Sequence, residues 1–172
     1  MNFKLWIAQG FGVGRIPVAP GTFGSLVGIL WFAILLVPAN LWLFIAGTIV
    51  GFALSVWLCG EGEKILKQKD PGSVVLDEIT AMPLCFAFWV GSSYLKTGSL
   101  PRLDEILNPR SWPALLGVFI IFRFFDITKP WPVRQSQVLP GGWGVTVDDF
   151  LAAIYVNIAF LFVYVVDTVI PK

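Results

Sequence analysis

The sequence contains no histidine in its 172 residues, and this absence excludes several kinds of active site. A Ser-His-Asp triad, a histidine nucleophile and a histidine-ligated zinc ion all need that side chain. Cysteine is nearly absent as well: Cys59 and Cys85 each lie inside an apolar run, and we interpret both as small buried hydrophobes. Any ionisable chemistry must therefore come from carboxylates, lysine, arginine, serine, threonine or tyrosine.

Charge is also scarce. Charged residues make up 13% of the chain and apolar residues 56%, against typical fractions of about 25% and roughly 45–50%. The mean hydropathy is +0.78, so we predict an integral membrane protein with one membrane-embedded domain over residues 1–172. The net charge of +1 gives no reason to expect a nucleic acid partner. No cleavable signal peptide is evident before the first apolar segment.

Five hydrophobic segments follow one another along the chain, at residues 26–37, 41–59, 79–95, 113–125 and 150–170. A helix needs about 20 residues to cross a bilayer, so the first and fourth segments are short and the other three are near full length. We therefore predict an all-α membrane bundle of four or five hydrophobic helices, and leave open whether the short segments cross fully. The first helix would begin at Thr22 or Ser25, both good N-cap residues, and end before Pro38.

Polar or glycine-rich stretches separate these segments. Residues 10–25 contain too many glycines and prolines to favour a helix. Residues 61–69 favour a short helix, which ends in a turn at Asp70-Pro71-Gly72. Residues 96–112 favour a polar loop, and residues 126–149 carry proline-containing turns, a Gly-Gly-Trp-Gly loop and an acid pair at the head of the last helix.

The distribution of cations predicts an orientation. If all five segments cross, the N-terminal stretch, the stretch 60–78 and the stretch 126–149 share one side of the membrane. That side holds eight cations, namely Lys4, Arg15, Lys64, Lys67, Lys69, Arg123, Lys129 and Arg134, and the other side holds Lys96, Arg102, Arg110 and Lys172. Because cytoplasmic loops carry the excess of lysine and arginine, we predict that the first side is cytoplasmic.

Carboxylates gather on the same predicted side. Asp77-Glu78 opens the third segment, and Asp148-Asp149 precedes the fifth. Magnesium prefers carboxylate oxygens, so we predict a site for one or two Mg²⁺ ions from Asp77, Glu78, Asp126, Asp148 and Asp149. Two alternatives involve no metal: an acid pair in a first helical turn suits the helix dipole, and Arg123, Asp126 and Lys129 are spaced for an ion ladder along one helix face.

A phosphate site is predicted beside the acids. Arg123, Lys129 and Arg134 supply the cations that phosphate binds. Glycines in residues 10–25 let backbone N–H groups approach an anion, and a helix beginning near Thr22 and Ser25 favours negative charge at its N-terminus. A glycine-rich turn without a ligand is the alternative. The GK[ST] ending of a P-loop is missing, so no nucleotide is expected.

Four stretches resemble, in their order, the signatures of the bacterial phosphatidylglycerophosphatase A family: GFGVGRIPVAPGTFGS, DPGSVVLDE, FRFFDITKPWPVR and GGWGVTVDD. The resemblance covers nearly the whole chain. It implies a Mg²⁺-dependent multi-pass phosphatase of the bacterial inner membrane, with its active site facing the cytoplasm. Such an enzyme hydrolyses phosphatidylglycerophosphate to phosphatidylglycerol and inorganic phosphate in phospholipid synthesis. Ala81 and Pro140 depart from the pattern, standing where glycine is common and where some members have histidine.

The resemblance also implies roles for single residues. The family's acids fall on Asp70, Asp77, Glu78, Asp126, Asp148 and Asp149, its cations on Arg123, Lys129 and Arg134, and its polar N-terminal residues on Thr22 and Ser25. We assign the catalytic roles to Asp77, Asp126, Lys129 and Asp149. A water nucleophile and a carboxylate nucleophile both remain open. The alternative function is a small ion or proton transporter that uses helix-end carboxylates, and no oligomeric state is predicted.

Overall fold

The computed structural model describes residues 2–169, and this range is all-α, as predicted. No β-strand occurs within it. Its α-helices are α1 (Phe3–Ala8), α2 (Pro20–Leu36), α3 (Leu41–Leu66), α4 (Leu76–Cys85), α5 (Ala87–Thr97), α6 (Leu103–Leu107), α7 (Trp112–Thr128), α8 (Val133–Ser136) and α9 (Gly142–Val169). Short 3-10 turns, Gly10–Arg15 and Pro109–Ser111, precede α2 and α7. The predicted end of the last segment at Ile170 lies outside the described residues, as does Lys172.

Three helical stretches of the described chain are long and apolar enough to cross a membrane: Leu41–Leu66, Pro109–Thr128 and Gly142–Thr168. The prediction that the segment 113–125 is short was wrong, because the 3-10 turn before α7 and one further helical turn after residue 125 extend it to 20 residues. The apolar helix Pro20–Leu36 is shorter than these three, as predicted for the first segment.

The prediction of a near-full-length helix over residues 79–95 was also wrong. The chain breaks at Phe86 into α4 and α5, three residues after Pro83, which has no amide hydrogen for the helix ladder. The Asn157 side chain of α9 satisfies the backbone groups beside the break. Its Oδ1 accepts a hydrogen bond from the Phe88 amide at 2.6 Å, and its Nδ2 donates to the Leu84 carbonyl at 2.8 Å.

Helix α2 begins earlier than predicted. It starts at Pro20, and Ala19 before it has a left-handed backbone with φ of 48°, so neither predicted N-cap residue caps the helix. Proline suits a first helical position because its missing amide would have no partner there. The Ser25 hydroxyl instead donates to the Gly21 carbonyl at 2.9 Å, inside the helix. The helix ends at Leu36, two residues before Pro38, as predicted.

Two other boundaries differ from the prediction. The predicted helices at 41–59 and 61–69 form one continuous helix, α3, which ends where Lys67 takes a left-handed conformation. Helix α9 begins at Gly142 rather than near residue 150, so most of the predicted Gly-Gly-Trp-Gly loop is helical. The glycine lets the start of α9 approach α3 closely, since a Cβ at Gly142 would lie 1.8 Å from the Val56 carbonyl oxygen.

The predicted polar loop at 96–112 is partly helical. Helix α5 extends to Thr97, and α6 lies within the loop. The Asn108 side chain accepts a hydrogen bond from the Arg110 amide at 3.0 Å and so begins the 3-10 turn before α7. These short elements form where local caps satisfy the backbone, which hydropathy does not register.

Helices α4 and α9 together form the centre of the packing: α4 contacts α2 and α3, and α9 contacts α3, α4 and α7. A large apolar cluster surrounds the C-terminal half of α4, where the rings of Phe32 and Phe86 stack at 4.2 Å. A smaller apolar cluster, which includes Leu76 and Val145, surrounds the starts of α4 and α9. The polar residues of α4 and α9 lie between these two clusters along each helix. The cysteines are fully or almost fully buried, as predicted.

Candidate active site

Three carboxylates converge where the start of α4 meets the second turn of α9. One oxygen from each of Asp77, Glu78 and Asp149 lies within 4.8 Å of the others, and we call these three residues the acidic cluster. Asp77 and Asp149 are only 4% and 3% exposed. The first acid pair opens its helix as predicted, whereas Asp149 lies inside α9 because that helix starts at Gly142.

The acidic cluster is short of hydrogen-bond donors. Asp77 Oδ1 and Glu78 Oε2 are buried and accept no hydrogen bond within residues 2–169, although buried polar atoms normally have a partner. The cation nearest to the cluster is Arg123, whose Nη1 lies 3.8 Å from Glu78 Oε1. Two buried carboxylates and one partly buried carboxylate beside one guanidinium are costly unless a further cation joins them. An all-oxygen donor set of this kind fits a hard divalent cation such as Mg²⁺.

The other two predicted metal ligands contact cations of the chain. Asp126 pairs with Arg123 at 2.6 Å and with Lys129 at 3.8 Å, which is the ion ladder that the spacing allowed. Asp148 accepts a hydrogen bond from the Lys129 ammonium and lies beside the cluster residue Asp149. A metal role for Asp126 and Asp148 stays a prediction.

Lys129 has an unusual backbone conformation. It follows the last residue of α7 and has φ of 43°, in the left-handed region. Burial of the ammonium acts to lower its pKa, but the charge and hydrogen bond of Asp148, helped by Asp149 and Asp126, outweigh burial and raise the pKa of Lys129 above its ordinary value. The side chain therefore carries its charge at every physiological pH.

The predicted phosphate-binding residues divide into two groups. Arg123 reaches the start of α2, where its Nη1 donates to the Ser25 hydroxyl at 3.5 Å, and its Nε is buried without a partner in the described chain. Thr22 lies in the first turn of α2 and is half-buried. Arg134, by contrast, is exposed on α8 and makes no ion pair within residues 2–169. The structure thus brings Arg123, Lys129 and Ser25 together near the acids, but not Arg134.

The glycines of residues 10–25 serve close packing. A Cβ at Gly21 would lie 2.1 Å from Glu78 Oε1, and one at Gly14 would lie 1.9 Å from the Ser73 carbonyl oxygen. These contacts place the start of α2 directly against the acidic cluster. They agree with the alternative of a glycine-rich packing turn, while an anion-binding role for its backbone stays a prediction.

Gln137 is a site residue that the sequence did not reveal. Its Nε2 donates to Asp70 Oδ2 at 3.1 Å and to Asp148 Oδ2 at 3.0 Å, so it joins the loop after α3 to the start of α9. The Asp70 amide in turn donates to Glu63 Oε1 at 2.9 Å. A glutamine in a polar loop carries no sequence signal of its own, because its partners lie far away in the chain.

Comparisons with known proteins agree on one family. The profile of the phosphatidylglycerophosphatase A family matches residues 6–164. A Haemophilus influenzae protein named phosphatidylglycerophosphatase A is 37% identical over 150 residues, covering 87% of this chain and 81% of the relative. An Escherichia coli protein of that name is 32% identical over 150 residues, covering 86% and 76%.

A third relative carries a different name. A Bacteroides thetaiotaomicron protein, provisionally named a phosphatidylinositol-3-phosphatase, is 35% identical over 153 residues, covering 87% of this chain and 86% of the relative. No solved structure matches the chain significantly.

Proposed function

Because the chain belongs to the phosphatidylglycerophosphatase A family, we propose that it is a membrane phosphatase that hydrolyses phosphatidylglycerophosphate to phosphatidylglycerol and inorganic phosphate. The two relatives named for this activity support the proposal, and they favour it over an ion or proton transporter. The reaction would contribute to phospholipid synthesis. The observation that carries the proposal is the acidic cluster with its unpartnered oxygens, which lies beside two cations suited to phosphate.

Magnesium is the proposed cofactor, and Asp77, Glu78 and Asp149 are the residues that would hold it. Their unpartnered oxygens support this assignment, because these atoms have nothing else to bind in the described chain. When bound, a divalent cation at this place would neutralise phosphoryl oxygens and make water more acidic. The carboxylates themselves are fixed in place by the close contacts of α2, α4 and α9.

Arg123 and Lys129 would bind the phosphoryl oxygens of the lipid. Each is oriented by Asp126, and Lys129 also by Asp148, so neither side chain must be ordered when the substrate arrives. Positive charge placed in advance stabilises the charge that develops on the transferred phosphoryl group. Burial of Asp77 and Asp149 lowers the dielectric constant around these carboxylates, which strengthens their electrostatic interactions.

The bilayer would hold the acyl chains of the substrate, and we propose the bacterial inner membrane as the location, with the active site facing the cytoplasm. Two features support this. The site lies at one end of the helical bundle, and most cations of the chain lie at that same end. A lipid substrate held in the bilayer explains why this phosphatase has several long apolar helices.

Phosphate release by the purified protein in detergent tests the proposal. We expect release from phosphatidylglycerophosphate with Mg²⁺, loss of release with EDTA, and a loss of at least about 100-fold in Asp149→Asn. The matched control is Asp104→Asn, an exposed acid of α6, which should retain activity. No release from a folded, Mg²⁺-containing sample would overturn the enzyme assignment. Release that survives EDTA and Asp149→Asn would overturn the site.

A further inference from the structure

An open hollow lies between the loop after α3 and the segment that leads into α9, and the hydrogen bond from Gln137 to Asp148 connects it to the partner of Lys129. Its volume is about 380 Å³, and it is lined by Lys69, Asp70, Gln137, Val138, Gly144 and Val145. The volume falls within the range of about 300–1,000 Å³ typical of small-molecule sites. No role has been given to this hollow above, although Gln137 connects it directly to Asp148.

Gln137 leaves one hydrogen-bonding atom for a ligand. Both hydrogens of its amide group are used, one by Asp70 at 3.1 Å and one by Asp148 at 3.0 Å. These bonds fix the orientation of the amide, so its carbonyl oxygen is the remaining acceptor. That oxygen accepts no hydrogen bond within residues 2–169. Asp148 Oδ2 also accepts from Lys129, so this oriented acceptor suits a hydroxyl group carried close to a phosphate bound by Lys129.

Lys69 adds a cation to the same hollow. It is exposed and makes no ion pair in the part of the chain that the structure describes. The hollow therefore combines a positive charge, an oriented acceptor and the Asp70 carboxylate with an apolar surface that includes two valines. This combination matches a polyol that bears hydroxyls and is attached to a second anionic group, and it matches neither a simple anion nor an acyl chain.

We propose that the hollow binds the polyol between the two phosphates of the lipid headgroup, and that Gln137 and Lys69 determine which lipid phosphomonoester the site accepts. This inference rests on the proposed function. The Gln137 carbonyl oxygen accepts a hydrogen bond from the free hydroxyl of the headgroup glycerol. The Lys69 ammonium neutralises the phosphodiester that links this glycerol to the diacylglycerol, while the terminal phosphate lies at the acidic cluster.

The decisive measurement compares two substrates in two proteins. One substrate is phosphatidylglycerophosphate, and the other is its analogue with a propanediol headgroup, which lacks the hydroxyl. We expect the wild-type kcat/KM to favour the natural headgroup by roughly fivefold to tenfold, as one net hydrogen bond allows. In Gln137→Met, kcat/KM falls for both lipids and the preference shrinks to about one. If Gln137 only positioned Asp148, both lipids would fall equally and the preference would persist, which overturns the inference.

The wild type separates the two levels of the proposal. Equal hydrolysis of both lipids overturns the role of the hollow but leaves the phosphatase intact. Hydrolysis of neither lipid by a folded sample overturns the proposed function and the inference with it.

A second pair of variants keeps the inference testable if Gln137→Met does not fold. Lys69→Gln removes the cation from the hollow, and Lys67→Gln removes a charge from the same loop outside the hollow. We expect Lys69→Gln to raise KM about threefold to tenfold with little change in kcat, and Lys67→Gln to change KM less than twofold. Equal effects of the two variants would show long-range attraction rather than a local contact, and would overturn the role of Lys69.

Discussion

The carboxylates of the site differ in what already surrounds them. Asp77 has a buried oxygen that accepts no hydrogen bond in the described chain, whereas Asp126 forms ion pairs with Arg123 at 2.6 Å and with Lys129 at 3.8 Å. A buried acid without a donor is arranged for a ligand that the chain itself does not supply. An acid paired with two cations is arranged to hold those cations in place.

Replacing Asp77 or Asp126 with asparagine should therefore change the kinetics in different ways. We expect Asp77→Asn to raise the Mg²⁺ concentration for half-maximal activity more than about tenfold, because it removes a ligand. Asp126→Asn should leave the Mg²⁺ dependence within about threefold and lower kcat/KM for the lipid, because Arg123 and Lys129 lose their orientation. Magnesium titrations of phosphate release measure both. A larger shift in Mg²⁺ dependence for Asp126→Asn than for Asp77→Asn would contradict this division.

Lys129 should stabilise the fold as well as bind phosphate. Replacing it with methionine leaves the buried Asp148 without its cation, and breaking such a pair costs roughly 3 kcal/mol. We expect Lys129→Met to melt several degrees below the wild type in detergent. Lys67→Met is the matched control, because Lys67 also ends a helix with a left-handed backbone but is exposed. Equal melting temperatures for Lys129→Met and the wild type would refute the pair's contribution.

The pH dependence of this stabilisation has a definite sign. The pKa of Lys129 is raised above its ordinary value in the folded protein, so folding is favoured at any pH where the unfolded lysine is still protonated. The stabilisation is complete below the ordinary lysine pKa of about 10.4 and is lost as pH rises through the higher folded value. The difference in melting temperature between wild type and Lys129→Met should therefore be constant between pH 8 and pH 9.

Helices α4 and α5 depend on a polar side chain from another helix. Asn157 bonds to the Phe88 amide and the Leu84 carbonyl on either side of the break at Phe86. We expect Asn157→Leu to lower the free energy of unfolding by about 1–3 kcal/mol, because it leaves buried backbone groups unpaired. Ile158→Leu, at a neighbouring exposed position of α9, is the control and should be neutral. Thermal melting of both variants in the same detergent provides the comparison.

This break shows what hydropathy can and cannot predict. The apolar runs at 41–59 and 113–125 correctly predicted that α3 and α7 exist, although both helices are longer than predicted, because burial in a bilayer requires only a local run of apolar residues. The break at Phe86 depends on Asn157, which lies 69 residues after Phe88. The early start of α9 likewise depends on a contact of Gly142 with Val56 on α3. Such partners are far apart in sequence, so no local pattern marks them.

The same reasoning applies to the site. Adjacent acids in an apolar chain stand out, so Asp77, Glu78 and Asp149 could be predicted from the sequence alone. Gln137 could not, because its importance comes from Asp70, which lies 67 residues earlier. The pairing of Asp126 and Asp148 with cations of the chain also depends on how α7 and α9 pack together.

The molecule as a whole has two different polar ends. At one end, the acidic cluster, Lys129 and Gln137 connect the starts of α2, α4 and α9 with the end of α7. At the other end, Ala39 and Arg102 line a separate hollow where the α2–α3 connection meets the stretch before α6. The helices run between these ends, so a membrane around the apolar surface would place the ends on opposite sides.

The orientation of these ends can be measured with cysteine variants. Cys59 and Cys85 are buried, so a membrane-impermeant maleimide should react only with an introduced thiol. Gln135→Cys places a thiol at the end with the acidic cluster, and Asp104→Cys places one at the opposite end, both at exposed positions. The excess of cations beside the acidic cluster predicts that this end is cytoplasmic.

In intact spheroplasts, Asp104→Cys should therefore be labelled, and Gln135→Cys should be labelled only after lysis. Labelling of Gln135→Cys alone in intact spheroplasts would show the opposite orientation. Labelling of both variants would show that the two ends lie on one side of the membrane.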